Sequence, residues 1–131
     1  MPWTGLIAVG GGAALGAWLR WGLGIALNPV FPALPLGTLL ANLIGGLLMG
    51  VAMEYAAIHT SLSPEMRLLL TTGFLGGLTT FSTFSGEITV LLARRDFLFA
   101  ALGVALHVAG SILLTLLGVA LARSLFAGGS S

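Results

Sequence analysis

Cysteine is absent from the 131 residues, and every basic side chain is an arginine. Without thiols there is no disulfide and no thiolate metal site. Five arginines face four acids, and only 7% of residues are charged, with a formal net charge of +1. That is too little positive charge for a nucleic-acid surface. Histidine occurs only as His59 and His107, with no carboxylate–histidine spacing of the metalloprotease kind. Gly10, Gly11 and Gly12 run together, but no lysine follows to make a phosphate-cradling loop. No constellation of residues supports an enzyme.

What fills the chain instead is apolar. Hydrophobic residues make up 57%, and mean hydropathy is +1.09. A membrane-spanning helix needs about 20 such residues. Four stretches qualify, and we expect helices over residues 4–27, 35–57, 65–93 and 97–124. Together they use most of the sequence, so residues 1–131 read as a single transmembrane domain. The fold class is therefore an all-α membrane protein with four transmembrane helices, multi-pass in the cell (inner or plasma) membrane. The opening MPWTGLIAV has no basic region, so we expect it to begin the first helix rather than serve as a cleaved leader.

The connections are short. Asn28 opens a proline-punctuated turn, NPVFPA. Ser63, Pro64 and Glu65 spell a helix start, with a cap, a first-turn proline and an acid at the positive helix end. With four spans, Arg67 and Arg123 fall on one side, and Arg20, Arg94 and Arg95 on the other. Orientation normally follows the arginine and lysine bias of the loops, and here there is almost none. We therefore expect insertion both ways, with pairing as an antiparallel dimer.

Three spans carry a stripe of small or polar residues at four-residue spacing. These are Gly12, Gly16, Arg20 and Gly24 on the first, and Thr38, Asn42, Gly46 and Gly50 on the second. His107, Ser111 and Thr115 form the third stripe, on the last span. Residues four apart share a helix face, and small residues let helices approach closely in lipid. Most of the glycines read as packing. Asn42 needs partners for two donors and an acceptor, so it either bonds another helix or lines a polar path. Ser111 and Thr115 either bond back to their own helix or offer hydroxyls to a ligand. Arg20 either pairs with an acid or helix carbonyls, or draws anions into a vestibule. Glu87 is either a buried partner or a carboxylate at a pore entrance. His107 is either a neutral hydrogen-bonding group or part of a permeation path.

Residues 73–87, GFLGGLTTFSTFSGE, are the stretch least suited to an ordinary span. Adjacent glycines weaken helical geometry, and we expect the third helix to break near Gly76–Thr80. A break frees backbone carbonyls that suit a hard monovalent cation. The hydroxyls of Thr79, Thr80, Ser82, Thr83 and Ser85 can donate to an anion. Phe81 and Phe84 share a face, and their ring edges carry positive partial charge. A path lined this way holds a small anion without a fixed cation that would trap it.

This segment resembles the signature of the Fluc (CrcB) fluoride channels. GAALGAWLR from Gly12 and GTLLANLIG from Gly37 resemble that family's first- and second-helix patterns. The resemblance implies an antiparallel, dual-topology homodimer with two pores, mediating passive fluoride export. It implies a structural sodium ion held by the carbonyls of Gly76 and Thr79. It places the pore on Asn42, Phe81, Phe84, Ser111 and Thr115. The neighbouring Thr38, Ser82, Thr83, Glu87 and His107 are further candidates for the anion path, and Arg20 for vestibule or structural charge. His107 stands where such proteins often carry tyrosine. Two other readings compete: a small dual-topology multidrug exporter, which needs a membrane-embedded acid such as Glu87, and a non-transporting assembly protein.

Overall fold

The computed structural model describes residues 3–127, which are helical apart from short connections. Helix α1 covers Trp3–Leu27, and α2 covers Leu36–Ile58. The third span is two pieces. Its first half, α3, starts at Pro64–Leu68, widens to i→i+5 bonding over Leu69–Leu75, and ends with Gly76–Leu78. Its second half, α4, covers Phe81–Ala93. Helix α5 covers Phe97–Ala122 and finishes in a wide turn, Arg123–Ala127. Among the described residues, three helical stretches are long and apolar enough to cross a membrane: Trp3–Val30, Leu36–Ile58 and Phe97–Ala127. The third span joins them only as the sum of two shorter helices.

The ends form for local reasons. Asn28 Oδ1 accepts from the backbone N–H groups of Gly37 at 2.8 Å and Thr38 at 3.2 Å, which have no partner inside α2. Ser63 caps α3 through the Met66 N–H, as its sequence context predicts. Arg67 reaches back to the carbonyls of Leu62, Ala56 and His59, at and beyond the end of α2. A cation is well placed there against the negative helix end. Between α4 and α5, Arg95 takes a left-handed φ of 58°. Asp96 N–H then closes on Leu91 O and Arg95 N–H on Leu92 O, a Schellman turn without glycine.

Packing follows the glycines. On α1, a Cβ at Gly12 would strike Leu69 O and stand 2.8 Å from Phe74 N. One at Gly16 would strike Phe74 O and stand 2.6 Å from Leu78 N. On α3, a Cβ at Gly77 would strike Ala13 O, and one at Gly73 would stand 3.0 Å from Val9 O. Two such pairs, each four residues apart, bring the helices into backbone contact. Helices α2 and α5 meet the same way through Gly46, Gly50 and Gly118. The buried centre is small: Ala41, Leu75 and Leu78, immediately before the break. Large apolar side chains such as Ile7, Trp18, Leu113 and Leu116 point outward, the pattern of a chain whose solvent is lipid.

Candidate functional site

The helix break falls at Thr79–Thr80. Both residues are extended, at φ −87°, ψ 154° and φ −147°, ψ 123°. The expected interval was right, but its cause differs from the expectation. Gly76 is still helical, at φ −63° and ψ −36°, and Gly77 lies within the last turn of α3. Gly77 serves to seat that turn on α1, where a Cβ would stand 2.9 Å from Ala13 Cα. The break itself is stabilised by side chains. Asn42, on α2, accepts from Thr80 N–H at 2.7 Å and donates to Thr80 O at 3.0 Å. The amide oxygen thus replaces the helical acceptor that Thr80 N–H forgoes, and the amide nitrogen adds a donor to the Thr80 carbonyl, which as N-cap already accepts within α4. Thr80 Oγ1 then caps α4 by accepting from Thr83 N–H at 3.0 Å.

These diversions leave two carbonyls without their helical donors. In a continuous helix, Gly76 O would accept from Thr80 N–H, and Thr79 O from Thr83 N–H. Those donors go to Asn42 Oδ1 and Thr80 Oγ1 instead. The Thr79 hydroxyl turns back to Leu75 O at 2.9 Å and so offers nothing outward. Arg20 Nε donates to Gly77 O at 3.1 Å, anchoring the end of α3 to α1.

Beside the break lies a cavity of about 460 Å³ between α2, the two halves of the third span, and α5. Asn42, Phe81, Phe84, His107, Ser111 and Thr115 all line it, with Gly76, Thr79 and Thr80 at the break. Phe81 and Phe84 meet edge to face, with ring centroids 5.5 Å apart at 73°. Phe84 is 7% exposed and Phe81 is 76% exposed. The His107 ring lies 4.5 Å from that of Phe84, and its Nδ1 is 2.9 Å from Asn42 Nδ2. Thr115 Oγ1 lies 2.9 Å from both Gly46 O and Ser111 O, so its one proton is committed to carbonyls. Ser111 Oγ has no hydrogen-bond partner among the described residues and remains able to donate into the cavity. No arginine lines this space.

A second recess, about 310 Å³, opens on the other side of Thr80. Arg20, Asn28, Thr38, Thr80 and Thr83 supply its polar lining. Thr38 Oγ1 donates to Glu87 Oε2 at 2.6 Å, which ties the carboxylate to α2.

The sequence profile of the CrcB-like family, Camphor Resistance (CrcB), matches residues 7–119. The chain belongs to this family. A Pseudomonas putida W619 protein named fluoride-specific ion channel FluC is 59% identical over 115 residues, covering 88% of this chain and 91% of that protein. A Ralstonia pickettii 12J protein of the same name is 58% identical over 118 residues, 90% of this chain and 94% of its own. A third, from Ralstonia nicotianae, is 54% identical over 125 residues, 95% of this chain and 99% of its own. With the apolar helices, these likenesses establish a multi-pass membrane protein.

In this CrcB-family chain the predicted residues separate into two groups. Asn42, Phe81, Phe84, His107, Ser111 and Thr115 converge on the larger cavity. Thr38, Thr83 and Arg20 gather in the second recess, and Glu87 joins them through Thr38. Ser82 lines neither, but its hydroxyl lies 3.4 Å from Thr80 Oγ1. The sequence marks Thr80 only as one of five hydroxyls and as the end of the expected break, whereas it borders both spaces and receives the Asn42 amide. The spacing of Thr80 and Thr83 was the available signal, since a threonine three residues before a helical N–H is a cap.

Proposed function

We propose that this protein is a fluoride channel that lets the ion leave the cell passively. The observation that carries the reading is the donor-lined cavity at the break. It offers the Ser111 hydroxyl, an imidazole and phenyl-edge groups and no fixed cation. Fluoride holds its water strongly, so a selective path must replace that water with donors at close quarters. Neutral donors allow release, whereas an arginine in the same place would hold the anion. The names carried by relatives more than half identical support the same reading.

We further propose that two copies pair in opposite orientations, giving two pores. The nearly balanced arginines support insertion both ways. Phe81, largely uncovered in one chain beside the cavity, supports a site that a second copy completes. A sodium ion fits the carbonyls of Gly76 and Thr79, which lack helical donors and are uncharged oxygen ligands of the hard type. When bound, such an ion would neutralise the carbonyl dipoles at the break. The residues themselves hold the break open through Asn42 and Thr80.

Fluoride efflux from liposomes containing the purified protein tests the channel reading. Rapid fluoride loss with chloride retained is the expected result. Equal rates for the two halides would exclude a selective path. Proton-coupled uptake of a cationic dye, abolished by Glu87→Gln, would establish an exporter instead.

A further inference from the structure

The hydrogen bonds around Asn42 fix more than the break. A backbone N–H can only donate, so the amide atom 2.7 Å from Thr80 N is the Asn42 oxygen. The other amide atom is then the nitrogen, which has two protons and no lone pair to offer. One proton goes to Thr80 O at 3.0 Å, and the other points at His107 Nδ1 at 2.9 Å. His107 Nδ1 must therefore accept, and its ring proton sits on Nε2. No hydrogen bond engages Nε2 among the described residues, although the side chain is only 5% exposed and lines the cavity.

We propose that His107 is a neutral, Nε2-protonated donor to the anion in this cavity, set in that tautomer by Thr80 acting through Asn42. The ligand rests on the channel reading; the tautomer does not. Among the described residues no charged side chain lines the cavity, and those of the neighbouring helices engage other groups. Glu87, on α4, takes the Thr38 hydroxyl, and Arg20, on α1, donates its Nε–H to Gly77 O and lines the second recess. An imidazolium would put a second donor against the Asn42 amide and break the relay, so the arrangement selects the neutral ring. Fluoride then meets an N–H dipole, consistent with weak, reversible binding.

Nitrogen NMR of the protein labelled on its imidazoles tests this. His107→Gln identifies the signals by their loss, since His59 supplies the remaining pair. At neutral pH, His107 should show one bare nitrogen at Nδ1 and one protonated nitrogen at Nε2. Fluoride should shift the Nε2 signal and chloride should not. Asn42→Asp places an acceptor opposite Nδ1, so it should move the proton there. An Nδ1–H tautomer or an imidazolium in the unaltered protein would overturn the assignment. An Nε2 signal indifferent to fluoride, in protein whose vesicles do leak fluoride, would remove His107 from the route and leave the channel reading standing. Vesicles that retain fluoride would remove the channel reading itself.

Discussion

The two halves of the third span are built on opposite principles. Helix α3 is held by backbone against backbone, with Gly12 and Gly16 of α1 interleaved with Gly73 and Gly77. Helix α4 carries four of the span's eight hydroxyls and the exposed Phe81, and side-chain bonds attach its start. A seam made of glycine has no adjustable atoms, because a backbone cannot rotate out of the way. A junction made of amide and hydroxyl groups can exchange one partner for another. The first half is therefore a foundation and the second a working surface, and the break at Thr79–Thr80 separates them.

The largest effect expected from breaking this contrast comes from the seam. A Cβ at Gly77 would collide with Ala13 O and stand 3.0 Å from its carbonyl carbon. Gly77→Ala should cost about 1–3 kcal/mol, the usual range for overpacking, and Gly77→Leu should yield no folded protein. Gly22 and Gly86 have open space where a Cβ would stand. Gly22→Ala and Gly86→Ala should therefore unfold in detergent no earlier than the unaltered protein. If Gly77→Ala unfolds no earlier than these controls, the seam is not the foundation.

The junction comes next. Asn42→Ala would strip Thr80 N–H and His107 Nδ1 of their partner and remove a second donor from Thr80 O. An orphaned buried polar group costs about 1–3 kcal/mol, so this variant should fold less stably and conduct no fluoride. Phe81→Ile should behave differently. Its ring is 76% exposed in one chain, so the monomer fold loses little when the ring goes. Fluoride flux should fall with the thermal unfolding of the helices nearly unchanged. Full flux in that variant would take Phe81 off the route.

How much of this was legible in the sequence depends on what each feature needs. The spans needed only hydropathy and length, and they read directly. The break was visible because glycine and hydroxyl residues crowd one place, but its agent was misjudged. Two adjacent glycines look like weak helix formers, whereas Gly77 is there for close approach to Ala13 and stays helical. Propensity is a local property, and the approach of α1 is not. The same limit hid the role of Thr80, whose partner is an amide 38 residues earlier in the chain. The widened turn Leu69–Leu75 has no sequence signal that we can name. Arg20 was read with two open roles, and its bond to Gly77 O realises the helix-carbonyl pairing.

The smallest effect tests the contrast within a single helix. Thr115 and Ser111 lie four residues apart on α5 and line the same cavity. The Thr115 proton is committed to Gly46 O and Ser111 O, so it helps to close α5 on α2. Thr115→Val should cost about 1 kcal/mol, the typical net worth of one hydrogen bond, and change flux little. Ser111→Ala removes a hydroxyl that bonds nothing in the described structure, so it should leave stability alone and slow fluoride. Thermal unfolding and efflux on the two variants separate the roles. The opposite pattern, with Thr115→Val blocking flux at full stability, would mean that the threonine releases its carbonyls to meet the ion. The hydroxyls of α5 would then belong wholly to the working surface.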